Sequence, residues 1–483
     1  MSRCCYSSTS LLPPHHRLRL SPPLYSCSLP RKPLKALSVS ASLSAPPSDK
    51  QLFVLELAEK LEDSLPLPLP PIQPLRDTAS QSLVSTPWPT RQSEPFRFTD
   101  ISYLTKYPVV PAQIQIIPSS FPLNSSLPIQ ITLINGLLNP SLSRIPSLPA
   151  GVFVGSIKDV PQGPISEKIS SAIASCSEFK EKDVFWDFNN VGAADVAVIF
   201  VPAGVKVLDP VHLMFCYSGS GKEEEMSMCN PRVLVVVEED AEVSVVEEHF
   251  GFDGAGRYWA NPVMEIFIGE RGKVSHSYVQ RQPLNAAHIK WTVARQEASS
   301  TYEHVEVSIG GLLSRHNLHI QQLGPETVTE LSTFDLVSQS NQIQDLHSRL
   351  VLDYPKGYSR QLHKCIVCNS AGRAVFDGNI RVNRFAQNTD AGQQTRSLLL
   401  APKALVTVKP NLQIIADDVK CAHGAAISDL DQNELFYFQA RGLDLKTARN
   451  ALVYYFGADV IRRIPFKPIR ETAASEVKKL LSF

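Results

Sequence analysis

The chain has 483 residues, with 47 basic and 47 acidic side chains and a formal net charge of zero. Residues 1–48 contain six basic residues and no acidic one, which leaves 41 basic against 47 acidic residues in the rest. This acidic balance argues against a nucleic-acid binder, which needs a basic face. No apolar run reaches the roughly 18 residues that predict a membrane span.

The amino-terminal segment has the composition of an organellar targeting peptide. Residues 1–48 hold twelve serines and eight prolines, and these residues interrupt every apolar stretch that a secretory signal would need. We interpret residues 1–45 as a disordered, cleaved plastid transit peptide. A mitochondrial presequence and a merely disordered tail are the alternatives. The nine cysteines are scattered along the chain and fit a reducing compartment better than a disulfide framework.

Residues 46–150 read as a helical and proline-rich region. An apolar stripe predicts a helix from Asp49 to about Leu65, capped by Ser48 or Asp49 itself. The proline-rich segment 65–74 cannot continue this helix and predicts a stiff linker. A second short helix is predicted over 75–83, and proline-rich loops follow.

Residues 151–427 are dominated by short runs of Val, Ile and Phe, almost without helical pattern. So many short strands predict a sandwich, a propeller, a barrel or a solenoid. Tight hairpin dipeptides are few, and the clear ones are 253–254, 310–311 and 377–378. This scarcity favours a parallel β-helix, whose turns use longer corners, with stacked β-sandwiches as the alternative.

Residues 428–483 predict a carboxy-terminal helical domain. Asp431 can cap a first helix, with Gly442 just after its end, and Asp444 can cap a second helix that ends near Gly457. A last amphipathic helix is predicted over 469–481.

Three motifs resemble chemical sites without meeting their requirements. Residues 218–222 (SGSGK) resemble a phosphate loop, but the flanking Cys216 and Glu223 break the pattern. Cys365 and Cys368 lie in a predicted strand, where residues three apart face opposite sides. The carboxylates of Asp335, Asp345 and Asp353 leave open a polysaccharide-active β-helix enzyme, although nothing in the sequence groups them.

Cys421 and His423 are the strongest site candidates. In a strand, residues two apart share a face, so these two can present a thiolate and an imidazole to a soft metal. Two ligands are half of a tetrahedral site, and the others would come from elsewhere or from a partner chain. A purely structural role remains the alternative.

Residues 416–426 (ADDVKCAHGAA) and 435–442 (LFYFQARG) closely resemble the carboxy-terminal signature of the SufB/SufD family. Further resemblances lie at 360–364 (RQLHK), 372–378 (GRAVFDG) and 409–414 (KPNLQI). At the other end, 89–91 (PTR) and 94–99 (EPFRFT) are similar to the family's amino-terminal element, with Phe96 and Phe98 replacing its usual aromatic residues.

The resemblance implies a right-handed parallel β-helix flanked by amino-terminal and carboxy-terminal helical segments. SufB-type chains carry a cysteine before an Asp-Ser-Leu-Leu segment, where this chain has Thr395 and then Arg396–Leu399. SufD-type chains carry Cys-x-His-Gly, which Cys421 and His423 match. The family's Ser is Ala422 here, a departure that should not alter ligation. The chain is therefore identified as a SufD-like member of the family.

By the same resemblance, the chain is a non-catalytic scaffold subunit of a SufB–SufC–SufD complex that assembles iron–sulfur clusters in the plastid stroma. ATP hydrolysis is expected in SufC. The implied metal site is His423 with Cys421, holding a transient cluster shared with SufB, and no stable cofactor of the chain's own is expected. The expected SufC docking residues are Phe436, Tyr437, Arg441, Gly442, Leu452 and Tyr455.

Overall fold

The computed structural model describes residues 48–65, 69–113, 127–176, 179, 181–252, 254 and 256–481. The predicted transit peptide lies outside these residues. In chain order the helices are α1 (Asp49–Asp63), α2 (Gln73–Leu83), α3 (Pro164–Cys176), α4 (Val184–Gly192), α5 (Gln432–Ala440), α6 (Leu445–Ile461) and α7 (Lys467–Leu481).

The remaining regular elements are strands. They are β1 (Val109–Pro111), β2 (Ile129–Ile134), β3 (Leu137–Leu138), β4 (Phe153–Ser156), β5 (Ala197–Val201), β6 (Val211–Tyr217), β7 (Met226–Cys229), β8 (Arg232–Val237), β9 (Glu242–Gly251), β10 (Arg257–Ala260), β11 (Val263–Ile268), β12 (Lys273–Gln280), β13 (Ala286–Gln296), β14 (Thr301–Ser308), β15 (Leu313–Gln322), β16 (Val328–Val337), β17 (Ile343–Leu352), β18 (Tyr358–Val367), β19 (Arg373–Val382), β20 (Thr389–Leu399), β21 (Leu405–Ile414) and β22 (Val419–Ser428).

The strands form a parallel β-solenoid of about seven turns, as predicted, and the stacked-sandwich alternative is wrong. From β8 onward, consecutive strands alternate between two facing sheets. The one exception is the short strand β10, which pairs with β7 and β13 beside the main order. Sheet A has the order β4-β5-β8-β11-β13-β15-β17-β19-β21, and sheet B has the order β3-β2-β6-β9-β12-β14-β16-β18-β20-β22. Only β3 and β4, at the first end, run antiparallel to their neighbours within these two orders.

Each late turn of the solenoid advances the chain by about 30 residues in register. Leu313 lies opposite Ile343, which lies opposite Arg373. Because side chains alternate between the two faces of a strand, this register stacks interior residues into continuous rows. One such row in sheet B contains His304, Leu331, Gln361, Gln393 and His423.

The corners of the solenoid explain why hairpin dipeptides are scarce in the sequence. Non-glycine residues with left-handed backbone occupy the corners, and the N–H of most of them donates to a carbonyl of the next turn. Examples are Asp240 (φ 56°) to Glu270 and Arg271 (φ 55°) to Ala298, both at 2.9 Å. Corner hydrogen bonds between turns replace the hydrogen bonds of a tight hairpin.

The amino-terminal helices cover part of the solenoid. α1 begins after Ser48, whose side chain accepts from the backbone N–H of Gln51, and α1 and α2 pack against α4. Helices α3 and α4 were not predicted from the sequence. Eight of the nine residues of α4 are buried, Asp187, Asn189 and Asn190 among them, so this short helix has no exposed polar face.

The carboxy-terminal helices pack on the outer face of sheet B. α6 contacts β14, β16 and β18, and its Gly457 lies against the Phe334 ring, where an added Cβ would come within 2.5 Å of the ring. The sequence placed the end of this helix near Gly457, but α6 continues to Ile461. Gly457 therefore allows the helix to approach the sheet closely, and it does not end the helix. Among the described helices, none combines the length and apolar character needed to cross a membrane.

Candidate functional site

The last turn of the solenoid, formed by β21 and β22, has an uncovered end. Each of these strands is the terminal member of its sheet, and no described strand pairs with its outer edge. Most side chains of β22 are exposed. The free N–H and C=O groups of a terminal strand are a template for pairing with another chain.

Cys421 and His423 lie on β22 and face the same way. Cys421 is in register with Ala391, and His423 is in register with Gln393, both on interior positions of β20. Cys421 is half-buried against the interior apolar cluster, whereas His423 is exposed because no further turn covers it. The structure therefore places the two predicted ligands together on the open end.

The Cys421 thiol is protonated in the isolated chain. Partial burial raises its pKa above the ordinary value, so a metal would have to displace the proton. The other free cysteines in the described part of the chain lie away from this end. Four of them are buried, and burial raises the pKa of the half-buried Cys368 to about 12.

The predicted docking residues lie on or beside α5 and α6. Phe436, Tyr437 and Tyr455 are exposed apolar side chains, and the Arg441 guanidinium stacks 4.6 Å from the centre of the Tyr437 ring. Gly442 ends α5 with a φ of +88°. Leu452 differs from this group: it is half-buried against the apolar cluster beneath the helices.

Both helix starts were correctly predicted. The Asp431 carboxylate accepts a hydrogen bond from the Asn433 N–H at 2.8 Å, and Asp444 accepts from the Thr447 N–H at 3.0 Å. These caps hold the exposed surface of α5 and the start of α6 in defined positions.

The phosphate-loop-like segment and the Cys365–Cys368 pair, which the sequence did not support as chemical sites, make ordinary structural contacts. Lys222, in the segment that resembles a phosphate loop, forms an ion pair with Glu225 at 2.8 Å. Cys365 packs in an apolar cluster with Val337 and Val367, whereas Cys368 contacts the cluster beneath the carboxy-terminal helices. The two cysteines therefore face different surroundings, as predicted, although β18 ends at Val367 and Cys368 follows it.

The three aspartates offer no site for a sugar. Asp335 and Asp345 line a cavity of only about 10 Å³, and Asp353 accepts a hydrogen bond from Asn383 at 2.5 Å on a loop. Burial and the nearby charges of Glu306 and Asp345 raise the pKa of Asp335 well above its ordinary value. A cavity of this volume holds at most one water molecule.

A buried polar column between the two sheets was missed by the sequence analysis. At its first end, the Glu247 carboxylate accepts from Lys290 Nζ at 2.6 Å and is hydrogen-bonded to His249 at 2.6 Å and His276 at 2.9 Å. Burial opposes the negative charge, but Lys290 and His249 hold the pKa of Glu247 well below its ordinary value. Glu247 is thus an ionised carboxylate inside the column.

Farther along the column, Glu306 bridges two histidines from facing sheets. Its Oε2 lies 3.2 Å from His304 Nε2 and 2.8 Å from His316 Nδ1. Burial lowers the pKa of His304 to about 4, so this imidazole is neutral at pH 7. His304 and Glu306 are two residues apart in β14, the same spacing that identified Cys421 and His423 as site candidates. This spacing was the one sign of the column that the sequence offered.

A comparison with family models decides the relationship of this chain to known proteins. Residues 218–456 match a family described as SUF system FeS cluster assembly, SufBD core domain, and residues 66–213 match the SufBD protein N-terminal region. The chain belongs to the SufBD family of iron–sulfur cluster assembly proteins.

Individual relatives of this SufBD chain indicate a SufD-like member. It is 49% identical over 473 residues to the chloroplastic protein ABCI7 of Arabidopsis thaliana, covering 96% of this chain and 98% of that protein. It is 34% identical to the SufBD family protein slr0076 of Synechocystis, over 82% of this chain and 88% of the relative. The SufD protein of Escherichia coli is 27% identical, over 83% and 91% of the two chains.

The amino-terminal family element of this SufBD chain docks on the outer face of sheet A. The Arg315 guanidinium lies 4.1 Å from the centre of the Phe96 ring and donates to the Pro95 carbonyl at 2.9 Å. Arg315 and Thr99 both donate to Asp345 at 2.5 Å. This docking accounts for the buried Phe96 in the motif that first indicated the family.

The sequence resemblance equates Thr395 of this SufBD chain with the cysteine position of SufB-type chains. Thr395 is buried on β20, next to the last turn and in register with Ala425 on β22. Among the described residues of β20 to β22, Cys421 and the exposed His423 are the only cysteine and the only histidine.

Proposed function

We propose that this SufD-like chain is the scaffold subunit of a complex with a SufB-like subunit and a SufC-like ATPase, and that the complex assembles iron–sulfur clusters in plastids. One observation carries the proposal: Cys421 and His423 share a face of the terminal, uncovered strand β22. The SufB-like subunit pairs with this end of the solenoid, and the two side chains help to hold the nascent cluster between the subunits.

The incomplete ligand set supports an interface site. A thiolate and an imidazole are ligands that iron–sulfur clusters accept, but a tetrahedral iron needs more than these two. The terminal strands β21 and β22 have exposed edges that a second solenoid can extend by strand pairing. The remaining ligands then come from the SufB-like partner, and the cluster is cargo that is passed on.

The carboxy-terminal helices are the proposed docking surface for the SufC-like ATPase. Exposed aromatic residues on α5 and α6, including Phe436, Tyr437 and Tyr455, offer apolar anchors for a partner. ATP binding and dimerisation of two SufC-like subunits would then pull on α5 and α6 and open the interface near His423. This chain supplies no phosphate loop, and its role is that of a non-catalytic subunit.

Plastid localisation rests on two observations. The chain is similar over most of its length to a chloroplastic protein, and residues 1–45 have the composition of a transit peptide. The stroma is the compartment in which such a protein would meet its partners.

The decisive experiment is anaerobic reconstitution of the complex with iron and sulfide. His423→Ala and Cys421→Ala are compared with Lys420→Ala, an exposed residue on the opposite face of β22. All three variants should still co-purify with the SufB-like and SufC-like subunits. Cluster formation, measured by visible absorption and bound iron, should fall at least tenfold for His423→Ala and stay unchanged for Lys420→Ala.

The alternative of a purely structural partner is favoured by the packing of Cys421 against the interior cluster. It makes the opposite prediction in the same experiment. If His423→Ala and Cys421→Ala complexes build clusters as fast as wild type, cluster chemistry belongs wholly to the SufB-like subunit.

A further inference from the structure

Three side chains in the middle of the solenoid form a ligand set for a metal ion. His304 and Glu306 come from β14 in sheet B, and His316 comes from β15 in the facing sheet A. One ligand atom from each lies within 4.8 Å of the other two, and all three residues are buried. The Oε2 of Glu306 is 3.2 Å from His304 Nε2 and 2.8 Å from His316 Nδ1.

These separations suit one ion bound by all three atoms. Metal–ligand bonds of about 2.1 Å at tetrahedral angles place neighbouring ligand atoms about 3.4 Å apart, and octahedral angles place them about 3.0 Å apart. The two distances to Glu306 are close to these values, and the two histidine nitrogens lie within 4.8 Å of each other. Two imidazoles and one carboxylate form the donor set of many Zn²⁺ and non-haem Fe²⁺ sites.

The second ring nitrogen of each histidine is already oriented by a neighbour. His316 Nε2 lies 2.8 Å from the Thr292 hydroxyl, and His304 Nδ1 lies 3.1 Å from His276 Nδ1. Metal-binding histidines usually have such a partner, because it fixes the tautomer and the orientation of the ring. Both nitrogens that face Glu306 are thereby available as ligands.

The two glutamates of the column, Glu247 and Glu306, differ in how their negative charge is compensated. Glu247 has a cationic partner, Lys290, at 2.6 Å. Among the described residues, no lysine or arginine forms an ion pair with Glu306, whose partners are the two histidines. A buried carboxylate needs compensation by a positive charge, and a divalent ion would supply it.

A second acidic group points to the same place. Asp335 is 2% exposed and lies on β16, the neighbour of β14 in sheet B. It lines the cavity of about 10 Å³ together with Glu306 and His316. This volume accommodates a single water or a bare ion, and Asp335 can interact with the ion through such a water.

We propose that His304, Glu306 and His316 bind one divalent first-row transition-metal ion, Zn²⁺ or Fe²⁺, inside the solenoid, with Asp335 beside the site. The ion is resident and structural, and it joins the two sheets across the core. This proposal is independent of the proposed function, because the site is remote in sequence and turn number from His423. It replaces the expectation that the chain holds no cofactor of its own.

The test measures metal content in the full chain carrying Cys421→Ala and His423→Ala, which removes binding at the open end. The protein is expressed with added Zn²⁺, or with Fe²⁺ and purified anaerobically, because a buried ion enters as the chain folds. After dialysis, elemental analysis should give about one ion per chain. Glu306→Gln and His316→Gln should each lower this content at least tenfold.

His363→Gln is the matched control. His363 is also a buried interior histidine, and its ring nitrogen lies 2.8 Å from the Thr333 hydroxyl, much as His316 meets Thr292. This variant should keep the ion. Equal metal content in Glu306→Gln, His316→Gln and His363→Gln would overturn the proposal, as would protein that holds no ion after either expression.

A second measurement needs no substitution in the core, so it tests the site even if the core variants misfold. X-ray absorption at the zinc edge of the same double-variant chain should show two imidazole nitrogens, one or two further oxygen ligands and no sulfur. Sulfur ligation, or the absence of imidazole, would contradict the site even if Glu306→Gln and His316→Gln failed to fold.

Discussion

His423 on β22 lies directly opposite Gln393 on β20, whose Nε2 donates to Gln361 Oε1 on β18 at 2.8 Å. An interior row of the solenoid therefore continues without a break to the exposed end. His423 is positioned by the preceding turn on one side and is open to a partner on the other. This arrangement presents the imidazole on a rigid frame, which would limit the ordering cost of the proposed docking of a partner.

The apolar residues of the uncovered turn should contribute to binding the SufB-like subunit. Ile414 ends β21 on an interior-facing position and is 47% exposed, since no further turn covers it. Ile414→Lys should weaken binding of the SufB-like subunit at least tenfold, which corresponds to about 1.4 kcal/mol. Phe385→Lys, at an exposed corner (77%), is the control and should bind like wild type in calorimetry. Equal affinities for both variants would place the interface elsewhere.

The proposed docking of the SufC-like ATPase can be tested separately. Phe436 is 71% exposed on α5, so Phe436→Asp should leave the fold intact and reduce co-purification of the SufC-like subunit at least tenfold. Leu208→Asp is a matched change at an exposed apolar residue (91%) far along the chain, and it should have no effect. Retained binding by Phe436→Asp would argue against docking at α5.

The short strand-like runs, the turn residues and the helix caps in the sequence made much of the fold predictable. The short strands, the scarcity of hairpin dipeptides and the caps Ser48, Asp431 and Asp444 all led to elements that the structure contains. Helix α4 was missed because nearly all of its residues are buried, which removes the polar face that identifies a helix.

The polar column was missed for a different reason, although the spacing of His304 and Glu306 in β14 was one available signal. His304 and His316 are ordinary strand residues in isolation, and they meet only because facing sheets bring β14 and β15 together. Spacing within one strand identifies pairs such as Cys421 and His423. Such spacing cannot identify side chains, such as His304 and His316, that come together from two facing sheets.

Asp345 should make the stability of the fold depend on acidic pH. Burial opposes its ionisation, but His347 and Arg315 lower its pKa to about 2, below the ordinary 3.8. The carboxylate therefore stabilises the folded state above pH 4, and this contribution is lost as the pH falls through 2. Asp345→Asn should reduce the free energy of unfolding at pH 7 by about 2 kcal/mol, and by less near pH 3.

Urea unfolding followed by tryptophan fluorescence at several pH values measures this difference. Glu330→Gln removes an exposed carboxylate and should change stability little at any of them. A destabilisation by Asp345→Asn that is the same at pH 3 and pH 7 would show that packing, and not charge, is lost.

Gly457 is required for α6 to approach sheet B. An added Cβ would come within 2.5 Å of the Phe334 ring, so Gly457→Ala should displace the helix and destabilise the protein by about 1–3 kcal/mol, despite the better helix propensity of alanine. Gly424→Ala, where the added Cβ meets no atom within 4 Å, should leave thermal stability unchanged. An unchanged melting temperature for Gly457→Ala would mean that Phe334 simply rotates away.

The uncovered end of the solenoid has a consequence for how the cell must produce this protein. A copy made in excess of its partners displays two unpaired strand edges and several half-exposed isoleucines, the features that promote aggregation. Surplus copies should accordingly be short-lived, so that the abundance of the partner sets the steady-state level of this chain even when its own messenger RNA is plentiful.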